Sequence, residues 1–119
     1  MEKDGLMLHS ASKGDIWQVD LPDGVGHEQK GKRPAAIVVH LKQNSVAIVI
    51  PLTSEPAAER FSHIHCIQPT AENGLSEESF ALAFQIRALD PQRFVQKKGK
   101  LSDKDIEAID AILKDMLKL

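Results

Sequence analysis

Two apolar runs rich in β-branched residues, separated by only three polar residues, restrict the fold of this chain more than any other feature. The runs are residues 34–41 (PAAIVVHL) and 45–52 (SVAIVIPL), with Lys42, Gln43 and Asn44 between them. Valine and isoleucine favour extended backbone, and such a short polar connection is typical of a β-hairpin. Because the runs are almost continuously apolar, the sequence predicts two adjacent, well-buried strands.

Three further segments have the character of strands. Residues 15–21 alternate in polarity, which predicts a strand whose Trp17 face is buried. Residues 61–67 alternate as well, and Cys66 is predicted to lie in the core. Residues 80–89 (FALAFQIRAL) are a strand candidate for which a helix is the alternative, because alanine and leucine suit both states.

The C-terminal segment predicts an amphipathic helix over residues 103–118. Ser102 is a favourable N-cap, and Asp105 three positions later forms a pair like a capping box. The apolar positions fall on one stripe at helical spacing: Ile106, Ile109, Ile112, Leu113 and Met116. Such a stripe must cover apolar surface. Short strands plus this helix therefore predict a mainly β fold with a C-terminal helix, in the form of a small β-barrel whose closure leaves no sheet edge exposed.

Composition limits the classes of protein to which this chain can belong. At 119 residues it is expected to form one domain over 14–119, preceded by a flexible arm at 1–13. Its single cysteine excludes an internal disulfide and fits a reducing compartment. No apolar run reaches the roughly 20 residues that span a bilayer, and the charged N-terminus is unlike a secretory signal. We therefore expect a cytoplasmic protein.

Positive charge is concentrated in two places, although the net charge is −2. Lys30, Lys32 and Arg33 end a glycine-rich loop at residues 22–33. The second group comprises Arg87, Arg93, Lys97, Lys98 and Lys100. Arginine grips phosphate through two parallel hydrogen bonds, so both groups are candidate phosphate sites. From charge alone, a solvated surface that keeps the protein soluble is the alternative.

Four motifs occur in order along the chain. They are GDIW at 14–17, GHEQKGKRP at 26–34, PLTS at 51–54 and QIRALD at 85–90, followed by the predicted helix. In this combination, over residues 14–117, the chain resembles the MazF/PemK/Kid family of toxin ribonucleases.

The resemblance implies an SH3-like small β-barrel with a C-terminal helix, working as a homodimer. It implies metal-independent, sequence-selective cleavage of single-stranded mRNA by a growth-inhibiting toxin, leaving a 5′-OH and a 2′,3′-cyclic phosphate or 3′-phosphate. A cognate antitoxin would block the RNA groove, and DNA would be contacted only indirectly through the antitoxin complex. No cofactor, metal or membrane partner is expected.

Cleavage of RNA without a metal requires an acid–base pair and a preorganised cation, because the 2′-OH of the RNA is the nucleophile. We expect Arg33, where the loop meets a strand, to stabilise the charged transition state. The alternative is that Arg33 pairs with Asp20 or Asp23 and only fixes the loop. Thr53 is the second catalytic candidate, through a hydroxyl that binds the phosphate or orients the 2′-OH. A strand end or a side-chain turn is the alternative there.

His27 is the third catalytic candidate, since histidine titrates near neutral pH and the Kid/PemK branch has a histidine at the matching loop position. A solvated loop residue is the alternative. We expect the RNA to be bound by side chains of the loop and of the two later motifs, namely Glu28, Gln29, Lys30, Lys32, Ser54, Gln85 and Arg87.

One position departs from the family pattern. The family usually has an acidic residue directly before the glutamine of QIR, whereas this chain has Phe84, and Leu82 stands where Kid has an arginine. Either His27, Arg33 and Thr53 suffice for catalysis, or cleavage is weak, or Phe84 stacks on a base.

Two other functions fit the same fold. A CcdB-like gyrase poison would act through a C-terminal Trp-Gly-Ile, whereas this chain ends in Met-Leu-Lys-Leu. A catalytically silent binding module would explain the missing acid. A metal site at His63 and His65, on one face of the predicted 61–67 strand, lacks a further ligand at useful spacing.

Overall fold

The computed structural model describes residues 11–22, 24–26 and 28–119, which form seven strands and one long helix joined by loops and short 3-10 turns. In chain order these elements are β1 (Asp15–Leu21), β2 (Gly31–Leu41), β3 (Val46–Thr53), β4 (Ile64–Ile67), β5 (Ser79–Leu82), β6 (Arg87–Leu89), β7 (Phe94–Lys100) and α1 (Asp103–Leu117). In this part of the chain, no helix has the length and hydrophobicity that crossing a bilayer requires.

The strands form one antiparallel sheet in the order β4-β5-β3-β2-β1-β7. On its edge away from β2, strand β3 pairs first with β6 and then, through Leu52 and Thr53, with β5. Within the described ranges no pairing joins the outer strands β4 and β7, so the sheet is curled rather than closed. The mainly β fold with a C-terminal helix is confirmed, whereas the predicted closure into a barrel is wrong.

Two apolar layers lie on the two faces of β1. Trp17 is 2% exposed in one layer, where its ring meets Phe94 edge-on at a centroid distance of 5.8 Å. The predicted burial of this face is therefore confirmed. Ile16 points the other way and is also fully buried, in the layer to which α1 contributes Ile109 and Leu113. The predicted helix stripe thus covers the second face of the sheet.

The helix α1 lies close to the predicted bounds, and one of the first described residues contacts it. The Ser102 hydroxyl oxygen accepts a hydrogen bond from the Asp105 N–H at 3.1 Å, which starts α1 where the sequence predicts it. The helix ends at Leu117, one residue before the predicted end. At the other terminus, Lys13 Nζ lies 2.7 Å from Asp110 Oδ2 on α1. The rest of the predicted arm, residues 1–10, lies outside the described residues.

Three strand predictions need correction. Strand β2 begins at Gly31 rather than at residue 34, because residues 31–33 also pair with β1. Strand β4 begins only at Ile64, since His63 has a left-handed backbone with φ 60°. The segment 80–89 is not one continuous element, because a 3-10 turn at Ala83–Gln85 separates β5 from β6.

The predicted core position of Cys66 is wrong. Its side chain is exposed on β4, an outer strand of the sheet, and its Sγ lies 3.3 Å from Glu78 Oε2. Strand β7 was not anticipated from the sequence, because only Phe94 of its seven residues is buried. This strand carries the three lysines of the second group of positive charges, Lys97, Lys98 and Lys100, along β1.

Candidate active site

A cleft of about 300 Å³ opens where β2 begins and β3 ends. We call it the cationic cleft, and its polar lining includes Lys32, Arg33, Thr53, Ser54, Glu77 and Lys98. Strands β2, β3 and β7 supply four of these side chains, and Ser54 follows β3 while Glu77 lies in the loop before β5. The strand pairing of β3 with β2 on one side and β5 on the other therefore assembles the cleft.

Arg33 is held by the loop that precedes it. Its Nε–H donates a hydrogen bond to the carbonyl oxygen of Lys30 at 2.9 Å. In the described part of the chain no carboxylate forms an ion pair with Arg33, so the alternative pairing with Asp20 is absent, whereas Asp23 lies outside the described residues. One edge of the guanidinium is thus fixed to the backbone, and two parallel N–H donors remain for an oxyanion.

Thr53 is 6% exposed at the last position of β3. Its hydroxyl oxygen accepts a hydrogen bond from the Glu55 N–H at 3.2 Å, so the side-chain turn considered as an alternative does form. This contact uses the hydroxyl only as an acceptor. The hydroxyl proton has no acceptor among the described residues and is available to a ligand in the cleft.

A second cleft, of about 240 Å³, lies on the other side of Thr53, which lines both spaces. We call it the loop cleft, and its lining includes Glu28, Gln29, Thr53, Arg60, Phe61 and Gln85. The Arg60 guanidinium carbon lies 4.6 Å from the centroid of the Phe61 ring. A flat cation over an aromatic ring is the kind of surface on which nucleobases stack.

Two hydrogen bonds shape the loop beside this second cleft. The Gln29 N–H donates to Gln85 Oε1 at 2.7 Å, and the Val25 N–H donates to Glu28 Oε1 at 2.6 Å. The amide oxygen of the Gln29 side chain is buried and has no hydrogen-bond partner in the described chain. Gln29 and Glu28 therefore position the loop as well as line the cleft.

The remaining predicted site residues divide into three groups. Lys32 and Ser54 line the cationic cleft. Lys30 and Arg87 line neither cleft: Lys30 contributes its carbonyl oxygen to Arg33, and Arg87 lies on β6 opposite Val49. His27 lies outside the described residues.

Two charged residues that line the cationic cleft, Lys98 and Glu77, were not identified as site residues from the sequence. Lys98 belongs to the second basic group, which the sequence marked as a candidate phosphate site without placing it beside Arg33 and Thr53. Glu77 lies in a turn-rich polar segment, where nothing in the local sequence marks it. Phe84, at the position of the missing acid, packs on Phe61 with ring centroids 5.1 Å apart.

The two histidines considered for a metal site face α1 instead. His65 Nε2 lies 2.8 Å from Asp105 Oδ1, and His63 Nε2 lies 3.6 Å from Asp115 Oδ2. Among the described residues, no three histidine, cysteine, aspartate or glutamate side chains lie close enough together to hold a metal. These contacts join β4, at His65, and the residue before it, His63, to the helix.

Comparison with known proteins identifies relatives of the whole fold. Endoribonuclease MazF9 of Mycobacterium tuberculosis is 30% identical over 110 residues, covering 86% of this chain and 92% of that protein. The crystal structure of MazF from Deinococcus radiodurans superposes with a TM-score of 0.75 at 21% identity, covering 92% and 97% of the two chains. A mycobacterial endoribonuclease in complex with its cognate antitoxin superposes with a TM-score of 0.70 at 18% identity, covering 92% and 97%.

A family model provides the assignment. The model described as PemK-like, MazF-like toxin of type II toxin–antitoxin system matches residues 12–117. This range contains both clefts, the seven strands of the described residues and the whole of α1. The chain therefore belongs to the family of PemK-like, MazF-like toxins of type II toxin–antitoxin systems.

Proposed function

We propose that this chain is an endoribonuclease that cuts single-stranded RNA by directing a 2′-OH onto the adjacent phosphate. The observation that carries the proposal is the presence of Arg33 and Thr53 in one cleft, beside Lys32 and Lys98. The name of the mycobacterial relative, an endoribonuclease, supports the same activity.

The chemistry follows from charge. Attack of the 2′-OH produces a phosphorane with more negative charge than the starting phosphodiester. Arg33 donates two parallel hydrogen bonds to its oxygens, and the Thr53 hydroxyl donates a third. Lys32 and Lys98 add positive charge nearby, so the cleft supplies its own cations and the proposed reaction needs no metal.

The loop cleft suits a neighbouring base. A nucleotide that places its phosphate at Thr53 can enter the second cleft and meet the Arg60–Phe61 surface, in a space that Glu28 and Gln85 also line. Bases are accessible in this way only in an unpaired strand, which favours single-stranded RNA and sequence-selective cutting.

The partners follow the same proposal. One solved relative is a complex with its cognate antitoxin, and we propose that a cognate antitoxin also binds this chain and covers the clefts. The chain works as a growth-inhibiting cytoplasmic homodimer, and DNA is contacted only through the antitoxin complex.

Incubation of the purified chain with mixed-sequence single-stranded RNA in excess EDTA tests the activity. We expect cuts that leave a 5′-OH and a 2′,3′-cyclic phosphate, and no cutting of DNA of the same sequence, which lacks the 2′-OH. Uncut RNA, or cutting that needs an added divalent ion, contradicts the proposal. Inhibition of DNA supercoiling would instead support a gyrase poison, which the endoribonuclease relatives do not favour.

A further inference from the structure

We propose that Glu77 is the general base that takes the proton from the attacking 2′-OH. This inference rests on the proposed ribonuclease function and names a catalytic residue that neither the motifs nor the departure at Phe84 predicts. Its carboxylate is the only acidic group among the described residues that line the cationic cleft.

Strand pairing fixes the position of Glu77 relative to Thr53. Thr53 pairs with Phe80 of β5, and Ser79, the first residue of that strand, is 4% exposed. The Ser79 hydroxyl donates a hydrogen bond of 3.0 Å to the carbonyl oxygen of Glu77. The backbone at Glu77 is therefore tied to the strand that lies beside Thr53, and Glu77 itself is exposed and lines the cleft.

The carboxylate is not committed to a structural ion pair. Three cationic side chains share the cleft with it, yet no described lysine or arginine nitrogen lies within 4.0 Å of the Glu77 carboxylate. The next residue behaves differently, because Glu78 Oε2 accepts a hydrogen bond from Gln68 Nε2 at 2.6 Å and contacts Cys66. Only the first of these two adjacent glutamates is free to act in the cleft.

The other described groups of the cleft are poor bases. A threonine hydroxyl is too weakly acidic to be an anion near neutral pH, and arginine and lysine are already protonated there. The position before Gln85 offers no acid, because it is occupied by Phe84, whose ring packs on Phe61. A carboxylate is the remaining described group that can accept a proton.

The proposed step balances as follows. Glu77 accepts the 2′-OH proton as the O2′–P bond forms, and the P–O5′ bond breaks with its electrons on O5′. Water protonates O5′, and the resulting hydroxide takes the proton back from Glu77. The products are a 2′,3′-cyclic phosphate, a free 5′-OH and the regenerated carboxylate.

The variant Glu77→Gln tests this role, with Glu78→Gln as the matched control. We expect Glu77→Gln to lower kcat at least about 100-fold. Its affinity for an RNA with a 2′-deoxy cleavage position should stay within about twofold of wild type, because base catalysis contributes nothing to binding. Glu78→Gln should cleave at the wild-type rate. Glu77→Asp, which keeps the carboxylate, should cleave at least about tenfold faster than Glu77→Gln.

Several outcomes overturn the inference. Cleavage by Glu77→Gln within about threefold of wild type refutes it, and so do equal rates for Glu77→Gln and Glu77→Asp. A loss of binding that matches the loss of cleavage assigns Glu77 to the shape of the cleft instead. Failure of the wild-type chain to cut RNA refutes the proposed function itself, which separates the two failures.

Discussion

The backbone N–H of Gln29 donates a 2.7 Å hydrogen bond to the side-chain oxygen of Gln85. This contact joins residues 56 positions apart and fastens the loop before β2 to the 3-10 turn between β5 and β6. Because both residues line the loop cleft, the shape of that cleft depends on a bond within its own wall.

Replacement of Gln85 by alanine removes this acceptor, so we expect faster hydrogen–deuterium exchange at the Gln29 amide. We also expect the rate of RNA cleavage to fall roughly tenfold, because the wall of the loop cleft loses this bond. Gln85→Glu keeps an oxygen acceptor and should preserve the protection of that amide. Unchanged exchange in the alanine variant would show that the bond does not hold the loop.

Arg33→Ala should lower cleavage by about 100- to 1000-fold and leave the fold intact, because it removes the donors aimed at the developing phosphorane. Far-UV circular dichroism and the urea midpoint report the fold, and single-turnover cleavage reports the chemistry. Arg93→Ala is the control for lost charge, since Arg93 is exposed and lines neither cleft. Wild-type-like cleavage by Arg33→Ala would remove Arg33 from the mechanism.

Thr53→Val keeps the shape of the side chain but removes the hydroxyl. We expect kcat to fall about 10- to 100-fold, and the free energy of unfolding to fall by about 1 kcal/mol because the Glu55 N–H loses its acceptor. Thr53→Ser retains the hydroxyl and should stay near wild type in both measurements. If Thr53→Val loses stability but not activity, the hydroxyl serves only the turn.

Cys66 should react slowly with iodoacetamide. Desolvation by neighbouring groups raises the pKa of its thiol, and the Glu78 carboxylate raises this pKa further. Alkylation requires the thiolate, so the midpoint of its rate against pH should lie higher in the folded chain than in urea. Glu78→Gln should move the folded midpoint back towards lower pH. A folded midpoint at or below the urea value would contradict this account.

The elements that the sequence predicts well are those with local causes. Ser102, Asp105 and the apolar stripe act within a few residues of one another, so α1 is read directly from its own segment. The β2–β3 hairpin is equally local, since only three residues separate its apolar runs. Arg33 and Thr53 became candidates in another way, through the order of the four motifs and the resemblance that they carry.

The features that the sequence misses depend on distant pairing. Strand β7 exists because it pairs with β1, while its own residues show no apolar alternation. Cys66 is exposed whereas Ile67 of the same strand is buried, a difference that depends on what packs on each face of the sheet rather than on local pattern. Glu77 reaches the cleft only through the pairing of β5 with β3, which no short motif encodes.

Because a hydrogen bond to the Lys30 carbonyl holds Arg33, an inhibitor can block cleavage in two ways. A ligand that fills the cationic cleft competes with substrate directly. A ligand that grips only the outer surface of the preceding segment and draws Lys30 aside would also release the guanidinium from its anchor. Inhibition of this second kind is non-competitive with RNA, so an effective inhibitor need not resemble RNA.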